Sequence, residues 1–221
     1  MVIDLVRMAQ ARGAGPDADS VAGRILDAAL GQFEDFGLRR STMEDIARRA
    51  GLSRITIYRR FPKKENLIEA VVLRELEGFL GELDSVGGPG ISPVDRMIER
   101  VAFALHYLRN HQLLRRLLRT EPEAILPSLT VNGGPLVNLA REHSAAFIRR
   151  DLFGAQTPPA EAERRIQRIA ETGVRVVLSF VLTPSSAIPV DTLEDARAFA
   201  RDLISPLQAS VLGEITQAPK P

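Results

Sequence analysis

Residues 42–61 read TMEDIARRAGLSRITIYRRF, and this stretch decides the fold. Two short runs with helical spacing, Thr42–Ala50 and about Ser53–Arg60, are separated only by Gly51-Leu52. Glycine at the joint supplies the positive φ of a tight turn, and Ala47 is small where the two helices would cross closely. Leu52 and Ile57 fall on the inward side, which turns Arg54, Thr56, Tyr58, Arg59 and Arg60 outward. A helix, a tight turn and a second short helix make the geometry that lays a recognition helix in the DNA major groove. The outward residues suit that task. Arginine pairs bidentately with guanine O6 and N7, a threonine methyl meets a thymine methyl, and tyrosine and lysine hold phosphates.

Charge strengthens the reading. From Gly37 to Lys64, nine basic residues (Arg39, Arg40, Arg48, Arg49, Arg54, Arg59, Arg60, Lys63, Lys64) face two acidic ones (Glu44, Asp45), a net +7 in a chain of total charge +1. A local excess of that size is the footprint of a polyanion partner. The plain alternative is an ordinary helical hairpin with a basic, solvated face.

Outward from the motif, every segment carries helical periodicity, and none shows the sustained alternation of strands. A helix from about Ser20 to Phe36 presents Ile25, Ala28, Ala29, Leu30 and Phe33 on one stripe and is terminated by Gly37. The next begins at Ser41 or Thr42, with Ser41 and Glu44 at capping-box spacing. The recognition helix is capped by Ser53 and stops before Pro62. A fourth runs from about Lys64 to Leu83, and Gly87-Gly88-Pro89-Gly90 then breaks the chain. Ser92-Pro93 opens a helix to about Asn110, followed by helices over about 112–120, 136–152, 160–182 and 193–211, the last with Thr192 as N-cap and Pro206 bending it. The stretch from Glu121 to Pro135 holds three prolines and Gly133-Gly134, so an irregular connection with at most one short helical turn is expected there. The expectation is an all-α protein of about nine helices. Its parts are a flexible arm (1–19), a three-helix DNA-binding domain (20–66), a larger helical domain for ligand binding and dimerisation (67–213) and a flexible tail (214–221).

Composition narrows the chemistry. The chain has no cysteine, which removes disulfides, thiolate metal sites and a cysteine nucleophile. With three histidines and no Gly-x-Ser-x-Gly, phosphate-binding glycine loop or His-Glu-x-x-His, nothing marks an activated nucleophile or a metal site, so neither an enzyme nor a cofactor is expected. No apolar run approaches the roughly 18 residues of a membrane span, and Asp4 and Arg7 interrupt the first apolar segment, unlike a signal peptide. A cytoplasmic protein without a membrane partner is expected.

The run Arg24-Ile25-Leu26-Asp27-Ala28-Ala29 with Phe33 and Gly37, then Thr42-Met43-Glu44-Asp45-Ile46-Ala47 and Ala50-Gly51-Leu52-Ser53, then Thr56-Ile57-Tyr58-Arg59-Arg60-Phe61 and Lys64-Glu65-Asn66-Leu67, resembles the N-terminal domain of TetR/AcrR-type transcriptional regulators. The resemblance covers about residues 21–70; the rest matches only in being helical. It implies that Thr42, Tyr58 and Lys64 touch backbone phosphate, that Arg54, Ile55, Thr56 and Arg59 face bases, and that Arg60 contacts either. Relatives often carry a small residue or proline where this chain has Ile55, so the operator sequence is not transferable. Arg7 and Arg12 of the arm are placed to reach a minor groove, although such arms are more often simply disordered.

The same resemblance implies a ligand pocket among the middle helices and a dimer interface on the last two long ones. The polar candidates for the pocket are His106, Tyr107, Asn138 and His143. Its apolar candidates are Leu76, Phe79, Leu80, Phe103, Leu117 and Phe147, which favour a small hydrophobic ligand such as a fatty acyl, steroid-like or drug-like molecule. The helix at about 160–182 is apolar on nearly every side near its end, and a partner subunit would cover it. Val174, Val177, Phe180 and Val181, with Phe199, Leu203 and Leu207 of the last helix, are the interface candidates. The resulting expectation is a homodimeric repressor on a palindromic double-stranded operator, released by ligand. A helical partner-binding protein that has lost DNA binding is the alternative, with an enzyme a remote third.

Overall fold

The structure, a computed structural model, describes residues 20–88 and 90–207. The expected arm and the tail from residue 214 lie outside the described residues. Among those described there are ten helices and no strand: α1 (Val21–Arg40), α2 (Met43–Ala50), α3 (Arg54–Arg60), α4 (Lys64–Ser85), α5 (Pro93–Asn110), α6 (Gln112–Thr120), α7 (Pro122–Leu129), α8 (Gly134–Phe153), α9 (Ala160–Leu182) and α10 (Leu193–Leu207). The all-α class is as expected. The helix beyond the nine is α7, in the stretch read as irregular. Pro122 sits at its first position, where the missing N–H has no intrahelical partner to lose. Past Pro127 the helix survives only to Leu129.

The chain forms two compact units. Among the described residues, the first comprises residues 20–81 together with His111–Leu136, and the second Glu82–Asn110 with residues 137–207. Helices α6 and α7 thus fold with the N-terminal helices, although the sequence reading assigned them to the C-terminal domain. The reason is burial: Leu113 and Leu117 enter one core with Ile25, Phe33, Ile46, Ile57, Leu67 and Val71. Each such fully buried side chain contributes roughly 1.5–3 kcal/mol.

In the first unit the chain leaves α1 through Gly37, at φ 82° and ψ 172°, and a further turn ends at Arg40. The carboxylate of buried Glu121 accepts from the backbone N–H of Arg39 at 3.2 Å (Oε2). The hydroxyl of Ser41, also buried, donates to the Gly37 carbonyl at 2.6 Å. Ser41 is therefore spent on closing α1 and does not cap α2. The capping box lies one residue later: Thr42 Oγ1 accepts from the Asp45 N–H at 3.1 Å, and Asp45 Oδ2 accepts from the Thr42 N–H at 3.3 Å.

In the second unit α5 packs against α9 and α10. Small residues, Ala102 on α5 with Ala196 and Ala200 on α10, are fully buried there. Arg100, also on α5, is buried with its Nη1 at 2.6 Å from Asp151 Oδ2, its guanidinium carbon 4.0 Å from the centre of the Phe147 ring. Burial lowers the Arg100 pKa, and the pairing with Asp151 opposes the shift. At α10 the capping pair predicted from sequence is formed, Thr192 Oγ1 accepting from the Asp195 N–H at 3.1 Å.

Candidate nucleic-acid interface

Gly51 ends α2 in the left-handed region, at φ 64° and ψ 35°. Only a residue without a side-chain penalty closes the turn this tightly. Beyond it the Leu52 N–H returns to the Ala47 carbonyl at 3.0 Å, so the small residue at 47 lies at the closing contact. Arg24 of α1 ties the joint down by donating to the Ala50 carbonyl at 2.9 Å. Ser53 caps α3, its Oγ accepting from the Thr56 N–H at 3.2 Å. Ile57 is fully buried, and Leu52, Tyr58 and Phe61 pack partly buried on the same core. Anchored by Ile57, α3 presents its opposite side to solvent.

That side carries the residues expected to meet DNA. Arg54, Ile55, Arg59 and Arg60 are exposed, Ile55 to 79%, while Thr56, Tyr58 and Lys64 are half-buried. An isoleucine that exposed has no folding role to explain it, which suits an apolar contact with DNA. Arg59, Arg60, Lys63 and Lys64 make no ion pair among the described residues, so their charge is available to phosphates. Arg54 differs: its Nε lies 2.8 Å from Glu44 Oε1, and its guanidinium carbon is 5.2 Å from the Tyr58 ring centre. Thr42 also differs, because its hydroxyl already donates to Asp45 Oδ2 at 2.6 Å. That hydroxyl, above all, holds the Asp45 carboxyl below the usual carboxylate range. A Thr42 contact to phosphate must therefore displace this bond.

Sequence reasoning gave Glu44 only a place in a capping box with Ser41, not its pairing with Arg54, and gave Arg48 no role of its own. Arg48 is 78% exposed at the side chain and pairs with Asp45. Its only signal was membership of the basic stretch.

The residues expected to line a ligand pocket divide between the units. Leu76, Phe79, Leu80 and Leu117 belong to the first, and Leu117 is part of its core beneath the helix-turn-helix. Phe103, His106, Tyr107, Asn138, His143 and Phe147 belong to the second. There the Phe103 and Tyr107 rings lie 5.5 Å apart, and His143 meets the Phe147 ring edge-on at 4.7 Å, with its Nε2 3.1 Å from Asp84 Oδ1. Burial lowers the His143 pKa, against the pull of Asp84. Asn138 is exposed, its helical phase being opposite to that of buried Val137 and Leu139, and it does not line an interior site within the chain.

Of the expected interface residues, Val177 and Val181 are already buried within the single chain and serve its own core. Val174, Phe180, Phe199 and Leu203 remain half-buried, with the rings of Phe180 and Phe199 in edge contact at 4.9 Å. The side chain of Leu207 lies outside those described. Among the described residues, no group of acidic and histidine side chains is placed to hold a metal ion, and no helix is long and apolar enough to cross a membrane.

Comparison with known proteins agrees with this geometry. Residues 25–71 match the model for bacterial regulatory proteins of the tetR family, and residues 97–201 match the bacterial tetracyclin repressor C-terminal domain. An uncharacterized HTH-type transcriptional regulator of Mycobacterium bovis is 28% identical over 187 residues, covering 85% of this chain and 92% of that one. The solved structure of the TetR family repressor AlkX from a Dietzia species, implicated in biodegradation of n-alkanes, superposes with a TM-score of 0.60 at 25% identity, over 89% of this chain and all of the other. RolR in complex with resorcinol shares the fold at a TM-score of 0.53 and 17% identity, over 91% and 95% of the two chains. The helix-turn-helix at the N-terminal side and the matched helices that follow it together show that the chain belongs to the TetR family of bacterial transcriptional regulators.

Proposed function

We propose that this regulator is a repressor that binds a palindromic operator as a homodimer and leaves it when a small hydrophobic molecule binds. The observation that carries the DNA half is α3: a short helix pinned by Ile57 whose outer side is arginine, threonine and one 79% exposed isoleucine. Ile55, Thr56, Arg54 and Arg59 read bases, Tyr58 and Lys64 hold phosphate, and Arg60 contacts either. Thr42 supports the α2 end by its cap. The half-buried apolar residues Val174, Phe180, Phe199 and Leu203 supply the dimer contact.

The ligand half rests on the aromatic and histidine side chains Phe103, His106, Tyr107, His143 and Phe147, supported by the implication of the relative AlkX in n-alkane biodegradation. The conduit is α4, a single helix whose first residue, Lys64, belongs to the DNA-binding side and whose last turn holds Asp84, the partner of His143. A ligand that prefers one position of this helix over another weakens DNA binding by its differential affinity for the two states. Couplings of this kind are about 1–3 kcal/mol and are reciprocal.

A duplex selected from a randomised pool provides the test. Binding to it should titrate as two protomers per site, and log K should fall with log salt at about −0.9 per phosphate neutralised. An n-alkane or fatty acid that raises the melting temperature should then bind more weakly when the selected duplex is present. A flat salt dependence removes the DNA reading. Equal ligand affinity with and without duplex removes the release mechanism alone.

A further inference from the structure

The basic stretch from Gly37 to Lys64 contains two carboxylates, and helix formation accounts for only one of them. Asp45 closes the capping box of α2, accepts a hydrogen bond from the Thr42 hydroxyl and pairs with Arg48. Glu44 shares none of those bonds. An acidic residue in a first helical turn gains a few tenths of a kcal/mol from the helix dipole, but Glu44 also sits on the surface meant to face phosphates, where a negative charge opposes binding. Its partner is across the motif: Glu44 Oε1 lies 2.8 Å from Arg54 Nε, at the start of α3.

The side of the guanidinium that Glu44 occupies matters. Guanine is read by two parallel N–H groups, and a carboxylate held against Nε leaves the terminal Nη1 and Nη2 pair for O6 and N7. The Tyr58 ring, 5.2 Å from the guanidinium carbon, flanks the same group from within α3. Arg54 is 65% exposed and makes no other ion pair among the described residues, so without these two neighbours its long side chain samples many rotamers. We infer that Glu44 is a positioning residue for base recognition: it holds Arg54 so that its outer edge reads one guanine, and it accepts a loss in overall DNA affinity for a gain in discrimination. The inference rests on the reading of Arg54 as a base contact.

The test selects bound duplexes from a randomised pool with the full-length wild type, Arg54→Ala, Glu44→Gln and the double variant, and compares base preference position by position. Arg54→Ala should erase a guanine preference at one position of each half-site. Glu44→Gln, which keeps the shape and removes the charge, should lower that preference about two- to fivefold, the range of an exposed ion pair. Its affinity for unselected duplex should rise. In the Arg54→Ala background the same change should leave the base profile as it was. Two results overturn the inference while leaving Arg54 as a reader: an unchanged profile in Glu44→Gln, or a change that persists without Arg54. If Arg54→Ala itself alters no base preference, the reading beneath the inference fails.

Discussion

Replacing Gly37 by alanine strikes the joint on which the helix-turn-helix hangs. At φ 82° and ψ 172° the backbone occupies a region that is nearly glycine-only, where another residue costs about 1–3 kcal/mol. A Cβ at this position would also overlap Glu121 Oε1. Glu121 is buried and accepts from the Arg39 N–H, and dislodging a charged acceptor of this kind costs roughly 1.5–3 kcal/mol. Because the two effects share one site they do not simply add, and a loss of about 3–5 kcal/mol is expected. Domains of this size lose about 2–4 °C per kcal/mol, so melting followed by circular dichroism should fall by about 6–20 °C. Gly78 provides the control. It lies within α4 with nothing within 4 Å of an added Cβ, so alanine there should stabilise by about 0.5–1 kcal/mol. A Gly37→Ala protein that melts within about 2 °C of wild type would refute the account of the joint.

Three further outcomes are expected. Ile55→Ala should leave stability within about 0.5 kcal/mol, because the side chain is 79% exposed, yet weaken binding to the selected duplex; a binding titration that shows no change would remove Ile55 from the interface. Arg59→Ala should relax preference at one base position by about 1–3 kcal/mol, whereas Tyr58→Phe and Lys64→Ala should weaken all duplexes about equally, and a uniform effect of Arg59→Ala would contradict its assignment to bases. His143 resists protonation in the fold because it is buried. Its contribution is therefore whole above its ordinary pKa and is lost as pH falls from there through the lowered folded value, since the unfolded chain gains the proton first. Urea midpoints at pH 7.5 and 5.5 should show less acid-side loss in His143→Asn than in the wild type, and identical pH dependence would contradict the burial effect.

Local chemistry made most of the architecture legible. The periodicity marked nearly every helix, Gly51 and Ser53 placed the turn and the recognition helix, and Ser92-Pro93 and Thr192 marked two later N-termini within a residue. These features depend on backbone groups a few residues apart, so neighbouring residues carry the information. The cap of α2 shows the limit. Ser41 and Thr42 are chemically equivalent candidates, and what separates them is that the Ser41 hydroxyl is drawn to the Gly37 and Gln32 carbonyls of the preceding helix.

What tertiary structure alone decided is where each apolar face is spent. Leu117 read as a pocket residue, and with Leu113 it became part of the core beneath the DNA-binding helices because α6 packs on α1. Val177 and Val181 read as interface and are buried inside their own chain, while Asn138 read as a pocket group and faces solvent. Hydrophobic burial is non-directional. A stripe of leucines and valines records that a face must be covered, but only the packed chain determines which partner covers it. The pairing of Glu44 with Arg54 is of the same kind, since nine residues, the turn among them, lie between the two and nothing in their spacing shows that they meet.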